Sequence, residues 1–404
     1  MAGQSEMSSG QYLHAARDLR LESRPLPLPA ADEVQVAIKS TALCGSDVHY
    51  YREYRNGTIL VREPLCLGHE SAGEIVAVGA NVAAGAAKIN PRLRPGLAVA
   101  LEVGVPCDRC DCDFCAGGRY NICPNLRFRS SGSKFPHYQG TLQERVNHPA
   151  RWVYELPENL GFEVGALLEP LAVAIHAVRR SELVSGGSYS STTAALVFGA
   201  GPVGLLCAVA AQAAGFRHIA MCDIDQGRLG FAESEGFASV TYLVKPKKCD
   251  SLEEKLAVAK EVAADIAALK LSDGSAFGQA ATTFECTGIE SSIQAAIYAT
   301  RAGGSVVLAG LGVPNHTLPL SEASAREISL LPTWRYADAY PQAIEIAQAS
   351  ISGTPVGSGR KLPDLRKLIS HRFQGPDAVG KAFETACKPK DDAGGVVMKV
   401  VVNN

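Results

Sequence analysis

One stretch limits the fold more than any other. AALVFGAGPVGLLCAVAAQAAG (194–215) runs from an apolar strand through Gly199, Gly201 and Gly204 into an alanine-rich helix. This is G-x-G-x-x-G in the strand–turn–helix setting that gives it meaning. The glycines allow a tight turn and close approach of backbone to a pyrophosphate, whose charge sits at the helix N-terminus. A second strand pattern, HIAMCDID, reaches Asp223 about 20 residues on, the distance expected for an acid that binds a ribose 2′-hydroxyl. A carboxylate there repels a 2′-phosphate, so NAD is expected rather than NADP, although Arg228 nearby is a side chain that could serve a phosphate.

Around that motif the texture is repetitive. From about residue 172, helical alanine-rich stretches (SIQAAIYATRAGG) alternate with short apolar runs (TTFECTG, SVVLAGLG). Such alternation reads as βαβ units on a parallel sheet. The first 170 residues differ, with short β-branched runs such as VQVAIK and AGEIVAVG broken by Gly and Pro, the mark of a mainly β, loop-rich domain. After about residue 326 the alternation fades, and the chain ends in a strand-like GGVVMKVVV. The expected class is therefore α/β. Surface insertions are expected at AAGAAKINPRLRP, SGGSYSSTT and SGTPVGSGRKLP.

A chain of 404 residues suggests two domains, and a net charge of −2 offers no basic excess for nucleic acid. The most apolar stretch, ALLEPLAVAIHAV, is interrupted by Glu169, Pro170 and His176, so no membrane span is expected. MAGQSEMSSG has neither a basic start nor an apolar core, so a signal peptide is not expected and a cytoplasmic setting is. In that setting twelve cysteines are not a disulfide framework. Seven are scattered, while five crowd into GVPCDRCDCDFCAGGRYNIC (104–123), a density that reads as metal.

Two further segments carry chemistry. CGSDVHYY (44–51) and LGHESAGEIVAVG (67–79) offer Cys44, His69 and Glu70: sulfur, nitrogen and oxygen donors suited to zinc with an open fourth position. Taken singly, Cys44 reads as a buried thiol and His69 as a core histidine; together they read as a ligand set.

With those segments in view, the chain resembles the medium-chain zinc-dependent dehydrogenases, and among them the sorbitol (polyol) dehydrogenases. CGSDVHYY, LGHESAGEIVAVG, CAGGRYNICP, GALLEPLAVAIHAVRR, FGAGPVG, FECTGIESSIQAAIYATRAGG, LAGLG and WRYADAYP carry the resemblance in order along the chain. RFRSSGSKFPHYQGTLQERVNHPARW is similar to fungal members. The resemblance implies a GroES-like catalytic domain made from residues 1–171 and 327–404 around a Rossmann domain at 172–326. It implies Cys44, His69 and Glu70 as catalytic zinc ligands, Glu169 as the acid beside the metal, and Asp47 as the residue orienting His69. Ser46 and His49 become a proton relay, and Tyr50, Glu169, Arg335 and Tyr336 the groups facing a polyol. Gly199, Gly201, Val203, Gly204, Asp223, Arg228, Ala309, Gly310, Leu311, Thr333, Trp334 and Arg335 become the NAD contacts. The reaction implied is oxidation of a secondary alcohol to a ketose. A threonine-type dehydrogenase is the second reading, and a dinucleotide-binding protein without catalysis the third. A homo-oligomer, dimer or tetramer, is implied by the family alone.

The family's cysteine lobe reads C-x2-C-x2-C-x7-C. Here Cys115 and Cys123 keep the last spacing, but Cys107-x2-Cys110 and Cys112-x2-Cys115 are both C-x2-C pairs. A two-residue insertion gives Cys107, Cys110, Cys115 and Cys123 as the expected structural zinc ligands, with Cys112 spare. A competing set puts Cys112 in place of Cys110 or Cys107.

Overall fold

The structure is a computed structural model that describes residues 6–86, 88–185, 193–356 and 359–404. Residues 186–192 of the expected SGGSYSSTT insertion, residues 357–358 of SGTPVGSGRKLP and residue 87 of AAGAAKINPRLRP lie outside that description, as do residues 1–5. The chain forms two units. One is Met1–Glu169 with Ala343–Gln348 and Leu365–Asn404; the other is Pro170–Gln342 with Ala349–Asp364.

The second unit is built on six parallel strands. Their order across the sheet is Val240–Leu243, His218–Asp223, Ala194–Phe198, Ala280–Glu285, Thr300–Leu308 and Ser329–Pro332. Numbered along the chain within this unit, that is 3-2-1-4-5-6, the doubly wound Rossmann order. Both faces of such a sheet are covered, and its central strand is apolar throughout: Ala194–Phe198 is buried at every position. The order reverses between Ala194–Phe198 and Ala280–Glu285, and a ligand crevice is expected at the carboxyl ends of those strands. The changeover expected at 326/327 comes later, because Ser329–Pro332 pairs in parallel with Ser305–Leu308 as the sixth strand. A four-residue strand is too short to show a period, so the loss of rhythm after 326 carried no boundary.

The first unit is mainly β. Its largest sheet runs Val153–Glu155, Ala98–Leu101, Glu70–Val78, Glu33–Ala42, Lys399–Asn403, Ile369–Gln374, with Arg145–Pro149 also paired to Glu33–Ala37. Lys399–Asn403 lies antiparallel to Ser40–Ala42, so the last described strand sits beside one of the first. Valines and isoleucines that alternate along these strands form a core of Val34, Val36, Ile38, Ile75, Val99 and Leu101.

The helix Gly161–Ser185 holds Pro170 within it, and the boundary between units falls on that proline. Contrary to the sequence expectation, its segment Gly161–Glu182 is long and apolar enough by length and composition to cross a membrane. Of its most apolar window 72% is buried inside the protein, which is also how a core helix reads.

The first unit also buries a charged group. Arg129, 3% exposed, donates from Nε to Nδ1 of His148 at 3.1 Å and lies 4.2 Å from the centre of the Tyr138 ring. His148 donates from Nε2 to the carbonyl of Glu102 at 3.0 Å. Burial first, and the facing guanidinium second, hold the His148 pKa well below its usual 6.5. Folded protein therefore keeps His148 neutral while the unfolded chain takes up a proton below about pH 6.5, so stability falls as pH drops through that range. The expected loss is up to about 1.4 kcal/mol per pH unit. His148→Gln, whose amide can accept from Arg129 and donate to Glu102, should flatten that acid slope in urea melts between pH 7 and 5; an unchanged slope would clear His148 of the effect.

Candidate active site

Cys44 caps the helix Gly45–Glu53, and Asp47 at its third position reaches back to accept the Cys44 N–H at 3.2 Å. This is a capping box with a cysteine in the serine position. It fixes where the Cys44 sulfur stands. The other oxygen of Asp47 accepts from Gly68 N–H at 3.1 Å and from the Ser130 hydroxyl at 2.6 Å, and faces Nδ1 of His69 at 3.2 Å. Asp47 is fully buried; burial would raise its pKa, but His69 and these donors together hold it below the usual carboxylate range. With Nδ1 turned to Asp47 and the ring against Phe128 at 5.3 Å, His69 presents Nε2 to the opposite side, 3.5 Å from the Ser46 hydroxyl. Glu70 follows as the first residue of the strand Glu70–Val78.

The donor atoms of Cys44, His69 and Glu70 lie within 4.8 Å of one another, and His69 and Glu70 are buried. One thiolate, one imidazole and one carboxylate fit zinc with its fourth position open. Glu169 is 4% exposed and stands outside that three-residue cluster.

Sequence reasoning missed Lys399. Its ammonium is buried and meets both oxygens of Glu70, at 2.7 and 2.5 Å, and the Leu43 carbonyl at 3.2 Å. Burial would lower its pKa, but Glu70, Cys44 and Glu169 hold it above the usual value. MKVVV reads as an edge or core strand, and nothing in it marks the lysine as a neighbour of Glu70. Ser130 was missed for a similar reason: it is one serine in a polar loop.

His49 has a side chain 53% exposed, with Nδ1 3.9 Å from Glu53. Tyr50 follows on the same helix. Its ring is 2% exposed within an apolar cluster, and its hydroxyl accepts the Gly132 N–H at 3.1 Å. Arg335 and Tyr336 fall in the other unit: Arg335 has a left-handed backbone (φ 51) and lies 5.0 Å from the Trp334 ring centre, while Tyr336 is buried against Tyr340. Thr333 is held by its N–H to the Leu308 carbonyl at 3.2 Å.

At the Rossmann crevice, Gly199 has φ +99, and a Cβ on Gly204 would stand 1.8 Å from the Gly199 carbonyl oxygen. Helix and turn meet there without room for a side chain. Beside Gly201, by contrast, only Arg228 comes near among the described residues, its guanidinium 3.9 Å from where a Cβ would be. Arg228 Nε is buried with no hydrogen-bond partner among the described residues, an orphaned donor on the side chain that lies beside the open turn. Pro202 and Val203 start the helix whose N-terminal N–H groups face that turn. Asp223 ends its strand and accepts N–H groups from Ala200 at 2.6 Å and Asp225 at 2.9 Å, fixing its carboxylate beside the turn. Ala309 and Gly310 both donate to the Glu285 carbonyl at 2.8 Å, and Leu311 beyond them is 67% exposed. An orphaned cationic donor beside an open glycine turn fits a dinucleotide's phosphates.

The cysteine lobe departs from the leading expectation. The four sulfurs gathered within 4.8 Å are those of Cys107, Cys112, Cys115 and Cys123. Cys110 is exposed and outside the cluster. The reason is local: Cys112 caps the short helix Asp113–Ala116, and its N–H closes a turn onto the Arg109 carbonyl at 3.2 Å, which throws Cys110 outward. The spacing becomes C-x4-C-x2-C-x7-C, with the two extra residues between the first and second ligands. Burial would raise the Cys123 thiol, but N–H groups of Cys107 and Asn125 bring it to about 7, so a thiolate is available near neutral pH. Tyr120 ties the lobe to the sheet through its hydroxyl to Glu102 at 2.6 Å. Cys112→Ser is expected to lose one zinc per chain and Cys110→Ser none, by atomic absorption on desalted protein; the reverse pattern would restore the original assignment.

Comparison with known proteins decides the family. Residues 30–158 match the model of the alcohol dehydrogenase GroES-like domain, and residues 202–349 that of the zinc-binding dehydrogenases. Sorbitol dehydrogenase of Bos taurus is 36% identical over 402 residues, covering 100% of this chain and 98% of its own. This chain belongs to the zinc-binding dehydrogenase family. L-arabinitol 4-dehydrogenase of Aspergillus oryzae is 38% identical over 363 residues, 89% of this chain and 84% of its own. Among solved structures, L-idonate 5-dehydrogenase of Escherichia coli shares the fold of this dehydrogenase, with a TM-score of 0.78 at 21% identity over 99% of each chain.

Proposed function

We propose that this dehydrogenase oxidises a secondary alcohol of a polyol of the sorbitol, xylitol or arabinitol type to the ketose, using zinc and NAD. The observation that carries the reading is the clustered Cys44–His69–Glu70 set in a chain that is 36% identical to a sorbitol dehydrogenase along its full length. Bound zinc would supply Lewis-acid polarisation of the alcohol, and NAD the hydride acceptor.

The chain's own residues supply the rest. Cys44 Sγ, His69 Nε2 and a Glu70 oxygen would hold the metal. Asp47 keeps the His69 proton on Nδ1, which leaves Nε2 free as a ligand and raises its basicity. Ser46 and the exposed His49 form a short path by which a proton can leave for solvent. Lys399, itself buried, offsets part of the negative charge of Glu70, Cys44 and Glu169. Arg228 and the N–H groups of the Pro202 helix would take the pyrophosphate. Asp223 would take the ribose hydroxyls, favouring NAD over NADP. Cys107, Cys112, Cys115 and Cys123 would hold a second, closed zinc that supports the fold. A homo-oligomer and a cytoplasmic setting complete the reading by family resemblance.

The test is NAD and NADP reduction at 340 nm with sorbitol, xylitol, L-arabinitol and threonine, each with and without a zinc chelator. Chelator-sensitive NAD reduction by a polyol is the expected outcome. Folded, zinc-loaded protein that turns over threonine alone, or nothing, would overturn it.

A further inference from the structure

The hydroxyl that meets Asp47 comes from a residue in an unusual backbone state. Ser130 has φ 59, the left-handed region that costs a non-glycine residue about 1 kcal/mol or more. Such a conformation persists when its surroundings hold it. Here they do so on both sides. Arg129 is fixed by its guanidinium to the carbonyls of Gln139, at 2.8 Å, and Asn147, and to His148. The Ser130 N–H bonds the Tyr138 carbonyl at 2.9 Å, and the Gly132 N–H bonds the Tyr50 hydroxyl at 3.1 Å. The product of this arrangement is a serine, 2% exposed, that places its hydroxyl 2.6 Å from the Asp47 oxygen facing His69.

We infer that Ser130 is a positioning residue for the zinc site, acting through Asp47 on the His69 ring. Without that hydroxyl, Oδ1 keeps only the Gly68 N–H at 3.1 Å and the His69 contact at 3.2 Å, both longer than the bond lost. The carboxylate, still held at its other oxygen by the Cys44 N–H at 3.2 Å but now by longer bonds only, gains freedom about its terminal torsion, which is broad and soft. The His69 ring would follow, and Nε2 would no longer be held toward Cys44 and Glu70. Loss of a partner behind a metal-ligating histidine typically weakens metal binding 10- to 100-fold. The inference rests on the proposed zinc site.

Ser130→Ala and Ser130→Gly separate positioning from folding. Both remove the hydroxyl, but only glycine relieves the left-handed backbone. Zinc release into a colorimetric chelator is followed for both variants and the parent, alongside thermal melting. The phase belonging to this site is the one missing in Cys44→Ser. The expected result is release about 10- to 100-fold faster in both variants alike, with the glycine variant melting above the alanine one. Release within twofold of the parent in both, or release that tracks melting temperature so that glycine restores it, would overturn the inference. A parent with no Cys44-dependent phase at all would instead overturn the zinc reading on which it rests.

Discussion

Cys44→Ser is expected to hold one zinc per chain fewer than the parent and to lose polyol oxidation by about 10³-fold or more, the several kcal/mol that a Lewis acid supplies to a reacting oxygen. Serine keeps the geometry of the cap: its side-chain oxygen can still accept at the start of the helix Gly45–Glu53, where serine is a preferred residue. It does not keep the ligand, because a hydroxyl stays protonated at neutral pH while zinc takes a thiolate. The fold should therefore survive, with melting temperature and far-UV spectrum close to the parent, while metal content and rate fall together. Zinc by atomic absorption and initial rates with NAD check this directly. A variant that retained its full zinc and most of its rate would remove Cys44 from the site.

Lys399→Met is expected to cost about 3–5 kcal/mol of stability in protein stripped of zinc, the penalty for removing one partner of a buried ion pair. Glu70 would be left as an uncompensated carboxylate, fully buried beside a cysteine and a second glutamate. Zinc supplies positive charge to the same carboxylate, so adding it should recover part of the loss, and the zinc-induced rise in stability should be larger in the variant than in the parent. Lys399→Met combined with Glu70→Gln should recover most of the stability without zinc, since neither charge then remains. Urea denaturation of the four proteins with and without chelator gives the coupling. A single variant within 1 kcal/mol of the parent would mean that Lys399 and Glu70 do not depend on each other.

What could be read from the residues follows the range of the interactions. Gly199, Gly204 and Asp223 lie within 25 residues of one another, and strand, turn and helix express their roles locally, so the Rossmann crevice was legible from spacing and texture. Cys44, His69 and Glu70 sit in two nearby segments and were legible as donor types, although only the fold brings the atoms within reach. The lobe was half legible. Two C-x2-C pairs are equivalent on paper, and the turn from Arg109 to Cys112 decides between Cys110 and Cys112. Lys399 and Ser130 were not legible, since they act on Glu70 and Asp47 from 329 and 83 residues away. Tyr50 was legible as a motif match, but its surroundings were not: the ring lies in an apolar core with the Gly132 N–H on its hydroxyl.

The strand Lys399–Asn403, lying between Ser40–Ala42 and Ile369–Gln374, has a consequence for how the protein is made. Glu70 leaves the ribosome 329 residues before the lysine that neutralises it. At synthesis rates of roughly 5–20 residues per second, that interval is on the order of 15 to 65 seconds. Throughout it one side of Ser40–Ala42 has no strand beside it, an open edge of the kind that invites mispairing with other chains. Meanwhile the intervening Rossmann strands, close neighbours in sequence, can already pair. Chain order thus joins Lys399 to Glu70 only after the Rossmann strands have emerged, and the edge at Ser40–Ala42 stays open to chaperones, and to mispairing, until the strand Lys399–Asn403 arrives.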